Sequence, residues 1–241
     1  MATGEPVIDL RGVVKHYGGL RPLRIERLVL RQGETVALLG FDQTAAEALV
    51  NLVTAATLPD EGDVDIFGAP TSRIGDADGW FRSLDRFGII GSRAVLIDEL
   101  TVEQNLALPF SFALDDIPPD VRRQVDTLAD EVGILSGTRQ TPMAAADPMM
   151  RIRVRLAKAL ALDPRVLLAE HPSAAVPAAD AARLAADLKA VARQRDLAML
   201  VLTADPAFAA AACDRVLMVR PATGALAPTA AWRRWFERHD A

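Results

Sequence analysis

Cysteine is nearly absent from this chain, whose 241 residues include only Cys213. A single thiol cannot form an internal disulfide, so the sequence predicts a protein of a reducing compartment. Long hydrophobic runs are absent as well, since the apolar runs reach about eight residues and a membrane-spanning helix needs about 20. The first residues, Met1 to Pro6, lack the apolar region of a secretion signal. We therefore expect a protein that is soluble in itself and reaches a membrane only through a partner.

Lysine and histidine are also scarce. The 27 basic residues include only three lysines, Lys15, Lys158 and Lys189, and none of them is close to residue 40. The net charge of −5 is spread without blocks of like charge, which argues against nucleic acid as the main partner. The three histidines, at positions 16, 171 and 239, do not have the spacing of metal ligands, so no metal site is predicted.

Hydrophobic patterns predict strands that alternate with helices. The expected strands lie at 7–14, 24–31, 35–40, 63–67, 87–91, 165–169, 197–203 and 214–220. The expected helices lie at 44–56, 76–85, 102–112, 119–132, 150–162, 178–194 and 205–212. Three of the strands are almost entirely apolar, as parallel strands covered on both faces are. The first two strands alternate loosely and suit an antiparallel sheet, and the middle of the chain is helical.

These elements divide the chain into four segments. Residues 1–92 are expected to form the first part of an α/β core with an antiparallel β layer, and residues 93–162 a helical subdomain. Residues 163–228 would complete the core. Residues 229–241 form a C-terminal helix or tail whose Trp232, Trp235 and Phe236 either pack on the domain or offer a docking surface.

Five sequence blocks then follow one another in a recognisable order. The stretch ETVALLGFDQTAAEALVNLV, residues 34–53, is laid out as a buried strand, a short turn and a helix, as in a phosphate-binding loop. The other blocks are LPDEGDVDIFG (58–68), LTVEQNLALPF (100–110), RVRLAKALALDPRVLLAEHPSAAV (153–176) and MLVLTADPAFAAAACDRVLMV (199–219). In order and spacing they resemble the nucleotide-binding subunit of ABC (ATP-binding cassette) transporters, over about residues 7–220. The resemblance implies a P-loop NTPase-type α/β fold with a mixed, largely parallel core sheet, an antiparallel β layer and a helical subdomain.

The residues that bind phosphate and Mg²⁺ in the phosphate loop of this family are missing from this chain. The motif reads G-x-x-x-x-G-K-[ST], in which the lysine reaches the β- and γ-phosphates and the hydroxyl binds Mg²⁺. Gly40 keeps the first glycine, and Thr44 is the last residue before the changed positions. Ala45, Ala46 and Glu47 stand where the second glycine, the lysine and the hydroxyl belong. We expect Glu47, close to the helix N-terminus, to fill the place of the phosphate.

The remaining family positions are mostly changed as well. By the resemblance they are the adenine-stacking Tyr17, the γ-phosphate sensor at Ser92, the magnesium ligand at Glu170, the catalytic base at His171 and the switch histidine at Ala204. The signature motif L-S-G-G-Q falls on 146–150, where Asp147 would repel a phosphate and Pro148 has no N–H to offer. Tyr17, Gly40 and Glu170 could still hold ATP and Mg²⁺ weakly. His171 is interpreted as a strand-end residue with local hydrogen bonds.

The sequence thus predicts a catalytically impaired ABC subunit, a pseudo-ATPase with no catalytic residue assigned. It would be a structural or regulatory partner of a membrane-spanning subunit or of an intact ATPase subunit, in a homo- or heterodimer on the cytoplasmic face of the cell membrane. Two alternatives stay open. One is an active ATPase in which Arg93 or Arg151 replaces the lysine and Glu170 or Asp205 replaces the base. The other is a soluble interaction module that is not linked to transport.

Overall fold

A computed structural model of the chain describes residues 4–91 and 93–229. Ten strands are described: β1 (Pro6–Lys15), β2 (Leu23–Arg31), β3 (Thr35–Leu39), β4 (Glu61–Ile66), β5 (Ala69–Pro70), β6 (Phe87–Ile90), β7 (Val166–Glu170), β8 (Ala198–Thr203), β9 (Arg215–Val219) and β10 (Leu226–Pro228). The described α-helices are α1 (Gln43–Val53), α2 (Ala77–Leu84), α3 (Val102–Ala107), α4 (Pro119–Glu131), α5 (Pro148–Leu160), α6 (Ala178–Gln194) and α7 (Pro206–Ala212). None of the described helices has both the length and the apolar character that crossing a membrane requires.

The strands form two sheets. A six-stranded core sheet has the order β10-β9-β3-β8-β7-β6, in which only β10 runs antiparallel to its neighbour. A four-stranded antiparallel sheet has the order β2-β1-β4-β5. Because β3, β7 and β8 are buried along their whole length, they carry the near-continuous apolar runs of a sheet covered on both faces. The predicted fold class, with its parallel core and antiparallel layer, is confirmed.

The helical elements cover the core sheet on both sides. One apolar cluster joins a face of that sheet to α4, α5, α6 and α7, and the other joins the opposite face to α1 and the antiparallel sheet. Between residues 93 and 162 the described part of the chain carries α3, α4 and α5 and no strand beyond a single bridge between Thr101 and Pro142. The four segment boundaries stay a prediction, and residues 230–241, with the aromatic tail, lie outside the described residues.

All eight predicted strands and all seven predicted helices are present among the described elements, and the differences are local. The third helix ends at Ala107 rather than at 112, because Pro109 has no N–H with which to continue it. The fifth begins at Pro148 rather than at 150, because Asp147 caps it and proline is favoured in a first helical turn. Two short strands, β5 and β10, were not predicted, since segments of two or three residues carry no periodicity.

Register places the predicted nucleotide residues at one edge of the core sheet. Strand β8 pairs in parallel with both β3 and β7, so the carboxyl ends of these three strands lie side by side. Gly40, His171 and Ala204 each follow one of these ends directly. Open α/β sheets bind their ligands outside the carboxyl ends of their strands, so a nucleotide site is expected at this edge.

The single cysteine offers a direct check of the packing. Cys213 follows α7 and is 4% exposed, and burial raises the pKa of its thiol to about 12. Because the thiolate is the reactive form, we expect no reaction with a disulfide reagent at pH 8 while the protein is folded. After denaturation the same reagent should modify one thiol per chain. Rapid modification of the native protein would contradict the buried position of Cys213.

Candidate functional site

The segment after β3 differs in backbone, and not only in side chains, from a phosphate-binding loop. In that motif the strand is followed by the G-x-x-x-x-G-K-[ST] loop and then by a helix. Here α1 begins at Gln43, three residues before the lysine position at Ala46. The loop is therefore reduced to Gly40, Phe41 and Asp42, and Phe41 is buried in the core. Gly40 has a φ of 96°, a backbone conformation that favours glycine.

Asp42 occupies the N-terminus of α1. The N–H of Ala45 donates to Asp42 Oδ1 at 2.8 Å, and the N–H of Ala46 donates to the Asp42 carbonyl at 2.9 Å. These are amides that the motif would turn toward a phosphate. A carboxylate at this position also satisfies the partial positive charge of the helix end. The place of an anion at α1 is thus taken by a side chain of the protein itself.

Glu47 was expected to fill this place, and that prediction is wrong. Its side chain lies one turn into α1 and accepts a hydrogen bond from Gln43 Nε2 at 2.8 Å. Asp42 stands closer to the first amides, which is the geometry of an N-cap. An aspartate directly before a helix-forming run was the sequence signal that could have identified it. Thr44 is exposed, and Ala46 is 0% exposed in the core.

The magnesium-ligand position holds an ion pair. The side chain of Glu170, at the end of β7, is 0% exposed, and its Oε1 accepts from Arg93 Nη2 at 2.9 Å. Arg93 Nη1 also donates to Asn51 Oδ1 in α1 at 2.9 Å. The guanidinium therefore connects the end of β7 to α1, where the resemblance would place a divalent cation. Sequence reasoning considered Arg93 only as a replacement for the lysine and did not identify Asn51.

The other predicted positions offer little to a phosphate. His171 adopts a left-handed conformation with a φ of 45° directly after β7, and its N–H donates to the carbonyl of Leu202 in β8 at 2.7 Å. Its Nε2 is buried without a hydrogen-bond partner in the described part of the chain. Ala204 is exposed. Ser92, the predicted γ-phosphate position, lies outside the described residues.

Tyr17 lines a cavity at the side of the shortened loop. The cavity has a volume of about 310 Å³ and brings Tyr17 together with Gly40, Asp42 and Ala45. Burial, and next to it the Asp42 carboxylate, raise the pKa of the Tyr17 hydroxyl. Glu170 is not among the described residues that line this cavity.

The signature region repeats the arrangement seen at α1. Asp147 is the N-cap of α5, and its Oδ1 accepts from the Met150 N–H at 2.7 Å. Pro148 occupies the first turn without an N–H to offer. A second helix N-terminus of the predicted nucleotide site is therefore capped by an aspartate.

The residues proposed as replacements in an active ATPase have other partners. Arg151 Nη1 donates to Asp98 Oδ1 at 2.8 Å and to the Met143 carbonyl at 2.7 Å. Asp205 Oδ1 accepts from the Ala207 and Phe208 N–H groups, both at 3.0 Å, as the N-cap of α7.

Taken with the Arg93–Glu170 pair, these contacts do not fit a bound MgATP. The Ala45 and Ala46 amides and the Glu170 Oε1, which would hold the phosphates and the metal, already have partners within the protein.

Comparison with known proteins gives a consistent set of relatives. The family model described as ABC transporter matches residues 24–174. A macrolide export ATP-binding/permease protein, MacB 1/2 of Paracoccus denitrificans, is 29% identical over 87% of this chain and 32% of its own length. The phosphonates import ATP-binding protein PhnC of Anaeromyxobacter dehalogenans is 33% identical over 92% of this chain and 45% of its own length. The chain thus spans less than half the length of these relatives.

Solved structures show the same fold at low identity. CbiO1 from Clostridium perfringens, described as part of an ABC transporter complex, superposes with a TM-score of 0.78 at 18% identity, covering 92% of this chain and 87% of its own. An ATP-binding cassette dimer with bound ADP and phosphate gives a TM-score of 0.73 at 20% identity, covering 92% and 98% of the two chains.

Proposed function

The chain belongs to the ABC transporter family, and from this premise we propose that it is an ATP-binding-type subunit that has lost efficient ATP hydrolysis and tight MgATP binding. The observation that carries the proposal is the start of α1 at Gln43, with Asp42 as its cap. It replaces the phosphate cradle by a turn of helix whose first amides are already bonded.

The free energies of the lost and remaining interactions also favour weak MgATP binding. A charge-assisted hydrogen bond of the kind that the motif lysine makes contributes about 1.5–3 kcal/mol. A carboxylate facing a triphosphate costs at least about 1 kcal/mol at 4 Å even in water. Against these losses stands the attraction of a helix N-terminus for an anion, about 0.3–1 kcal/mol, and Asp42 already uses it. The contribution of the Tyr17 side of the cavity remains and would support weak binding only.

The role we propose is structural or regulatory. A membrane-spanning subunit would contact the side that carries LTVEQNLALPF, and a second ABC ATPase subunit, identical or different, would form a dimer with this chain. Large apolar side chains are exposed close to this segment, with Val95 at 70% and Phe112 at 90% exposure. Asn105 Oδ1 accepts from the Ile97 N–H at 2.9 Å, and this bond connects the loop that carries Val95 to α3. The relatives, named for export and import, support a place on the cytoplasmic face of the membrane.

Nucleotide binding and turnover test the proposal directly. We expect no saturable heat in calorimetric titrations with MgATP or MgADP up to about 1 mM, the upper end of ordinary enzyme affinities, and a turnover below about 1 s⁻¹. The native state of the same sample is verified by the protection of the Cys213 thiol. Saturable binding at micromolar concentration would contradict the loss of tight MgATP binding, and turnover above that rate would favour an active ATPase.

Association with membranes tests the other half of the proposal. The chain, expressed at its native level, should sediment with membranes and be released by detergent together with an integral membrane protein. Recovery of the chain entirely in the supernatant would instead favour the interaction module that is unconnected with transport.

A further inference from the structure

A second cavity lies away from the nucleotide position. It has a volume of about 360 Å³, is open to solvent and is lined by the β4–β5 hairpin, the turn that follows it, and α2. Phe67 and Gly68 form the hairpin turn, with φ values of 49° and 80°. Apolar residues form most of its wall: Ile66, Phe67, Ala69, Pro70 and Ile74. None of its described lining residues also lines the Tyr17 cavity.

The charged side chains that line this cavity, among the described residues, are both positive. They are Arg82 in α2 and Arg86, which follows that helix. The guanidinium carbon of Arg86 lies 3.4 Å from the centroid of the Phe67 ring, and that of Arg165 lies 5.3 Å from it. Arg165 donates to Gln32 Oε1 at 3.0 Å, so its charge faces a neutral partner.

No carboxylate of residues 4–91 or 93–229 lies within 4.0 Å of the guanidinium groups of Arg82 or Arg86. The nearby Asp76 accepts from the Gly79 N–H as the N-cap of α2. Burial, and then repulsion by Arg165, lower the pKa of Arg86, and the smaller, opposite effect of the Glu5 carboxylate does not offset them. Arg82 is exposed and Arg86 is half-buried, so both guanidinium groups are accessible to an anion that enters the cavity.

We propose that this cavity binds a small amphipathic oxyanion, a molecule with one carboxylate or phosphate group and an apolar chain or ring. The oxyanion would accept hydrogen bonds from Arg86 and Arg82, since the guanidinium fork matches both groups. The apolar part would pack on Ile66 and Ile74, beside the Phe67 ring. A cavity of this size, mostly apolar with a few convergent polar groups, has the form of a small-molecule site. The proposal does not depend on the nucleotide site.

Calorimetric titration of the full chain with three probes of equal chain length tests the inference. Octanoate and octyl phosphate carry the two kinds of oxyanion, and octanol is their neutral control. We expect one binding site per chain for at least one of the oxyanions, with octanol at least tenfold weaker, and a weaker affinity as salt rises. Which oxyanion binds more tightly distinguishes a carboxylate ligand from a phosphate ligand.

Variants locate the site. Arg86→Gln is expected to weaken binding at least tenfold, and Arg82→Gln, at an exposed position that folding tolerates, severalfold. Arg183→Gln, at an exposed position of α6, is the matched control and should bind like the parent. Protection of Cys213 verifies that each variant is folded. Equal affinity for octanol, unchanged binding in both cavity variants, or no saturable binding of either oxyanion at millimolar concentration would each overturn the proposal.

Discussion

Replacement of Arg93 by alanine is expected to lower the free energy of unfolding by about 3 kcal/mol. Breaking a buried ion pair by removing one partner costs about 3–5 kcal/mol, because the other charge stays buried without compensation. Glu170 is that charge: its side chain is 0% exposed, and its Oε2 has no hydrogen-bond partner among the described residues. The side chain of Arg93 is 46% exposed, so water can enter when it is removed, which places the loss at the lower end of this range. Urea unfolding of parent and variant measures it.

Two further variants separate the ion pair from other effects of the substitution. Adding Glu170→Gln to Arg93→Ala removes the uncompensated charge and should recover at least half of the lost stability. Arg183→Ala, at an exposed position of α6, should stay within about 0.5 kcal/mol of the parent. A loss below about 1 kcal/mol for Arg93→Ala would mean that the pair contributes no more than a surface ion pair does. Arg93 would then not be the partner that compensates the charge of Glu170 at the magnesium position.

The fold was predictable because its signals are local and repeated. Apolar runs such as 35–39 and 198–203 are long enough to mark buried parallel strands, and β3 and β8 lie at these positions. Thr101 and Gln104 have the sequence spacing of a capping box, and α3 begins with this box, with both of its hydrogen bonds. Strands of two or three residues, such as β10, depend on pairing with a distant strand, and periodicity therefore did not reveal them.

The site was predictable only in part. One of its main contacts joins residues that are distant in sequence, and the start of α1 depends on which of two local conformations the segment adopts. The sequence identifies the missing lysine at Ala46, but it does not say where the helix begins. That start depends on whether Asp42 caps the first turn or the segment remains a loop. The contact from Arg93 to Glu170 joins residues that are 77 positions apart, so no spacing rule could indicate it.

Restoring the family residues at three positions, with Ala45→Gly, Ala46→Lys and Glu47→Ser, is expected to destabilise the protein and not to create tight MgATP binding. Ala46 is 0% exposed, so the new ammonium group would enter the core behind α1. Keeping a buried lysine neutral at pH 7, more than three units below its usual pKa, costs about 4–5 kcal/mol. Asp42 would still cap the helix, and the phosphate cradle would remain closed.

The pH dependence of this variant distinguishes a buried ammonium from a rebuilt loop. If the ammonium is buried, its pKa is lower in the folded than in the unfolded state, so the unfolded state binds more protons at neutral pH. The deficit relative to the parent should then shrink as the pH rises from 7 toward 10. Ala46→Met is the matched control, since it adds a long side chain without a charge and should show no such pH dependence. Saturable MgATP binding by the triple variant, with a deficit independent of pH, would mean that the first turn of α1 unwinds readily. The loss of the nucleotide would then reside in side chains alone, and not in the backbone between Gly40 and Gln43.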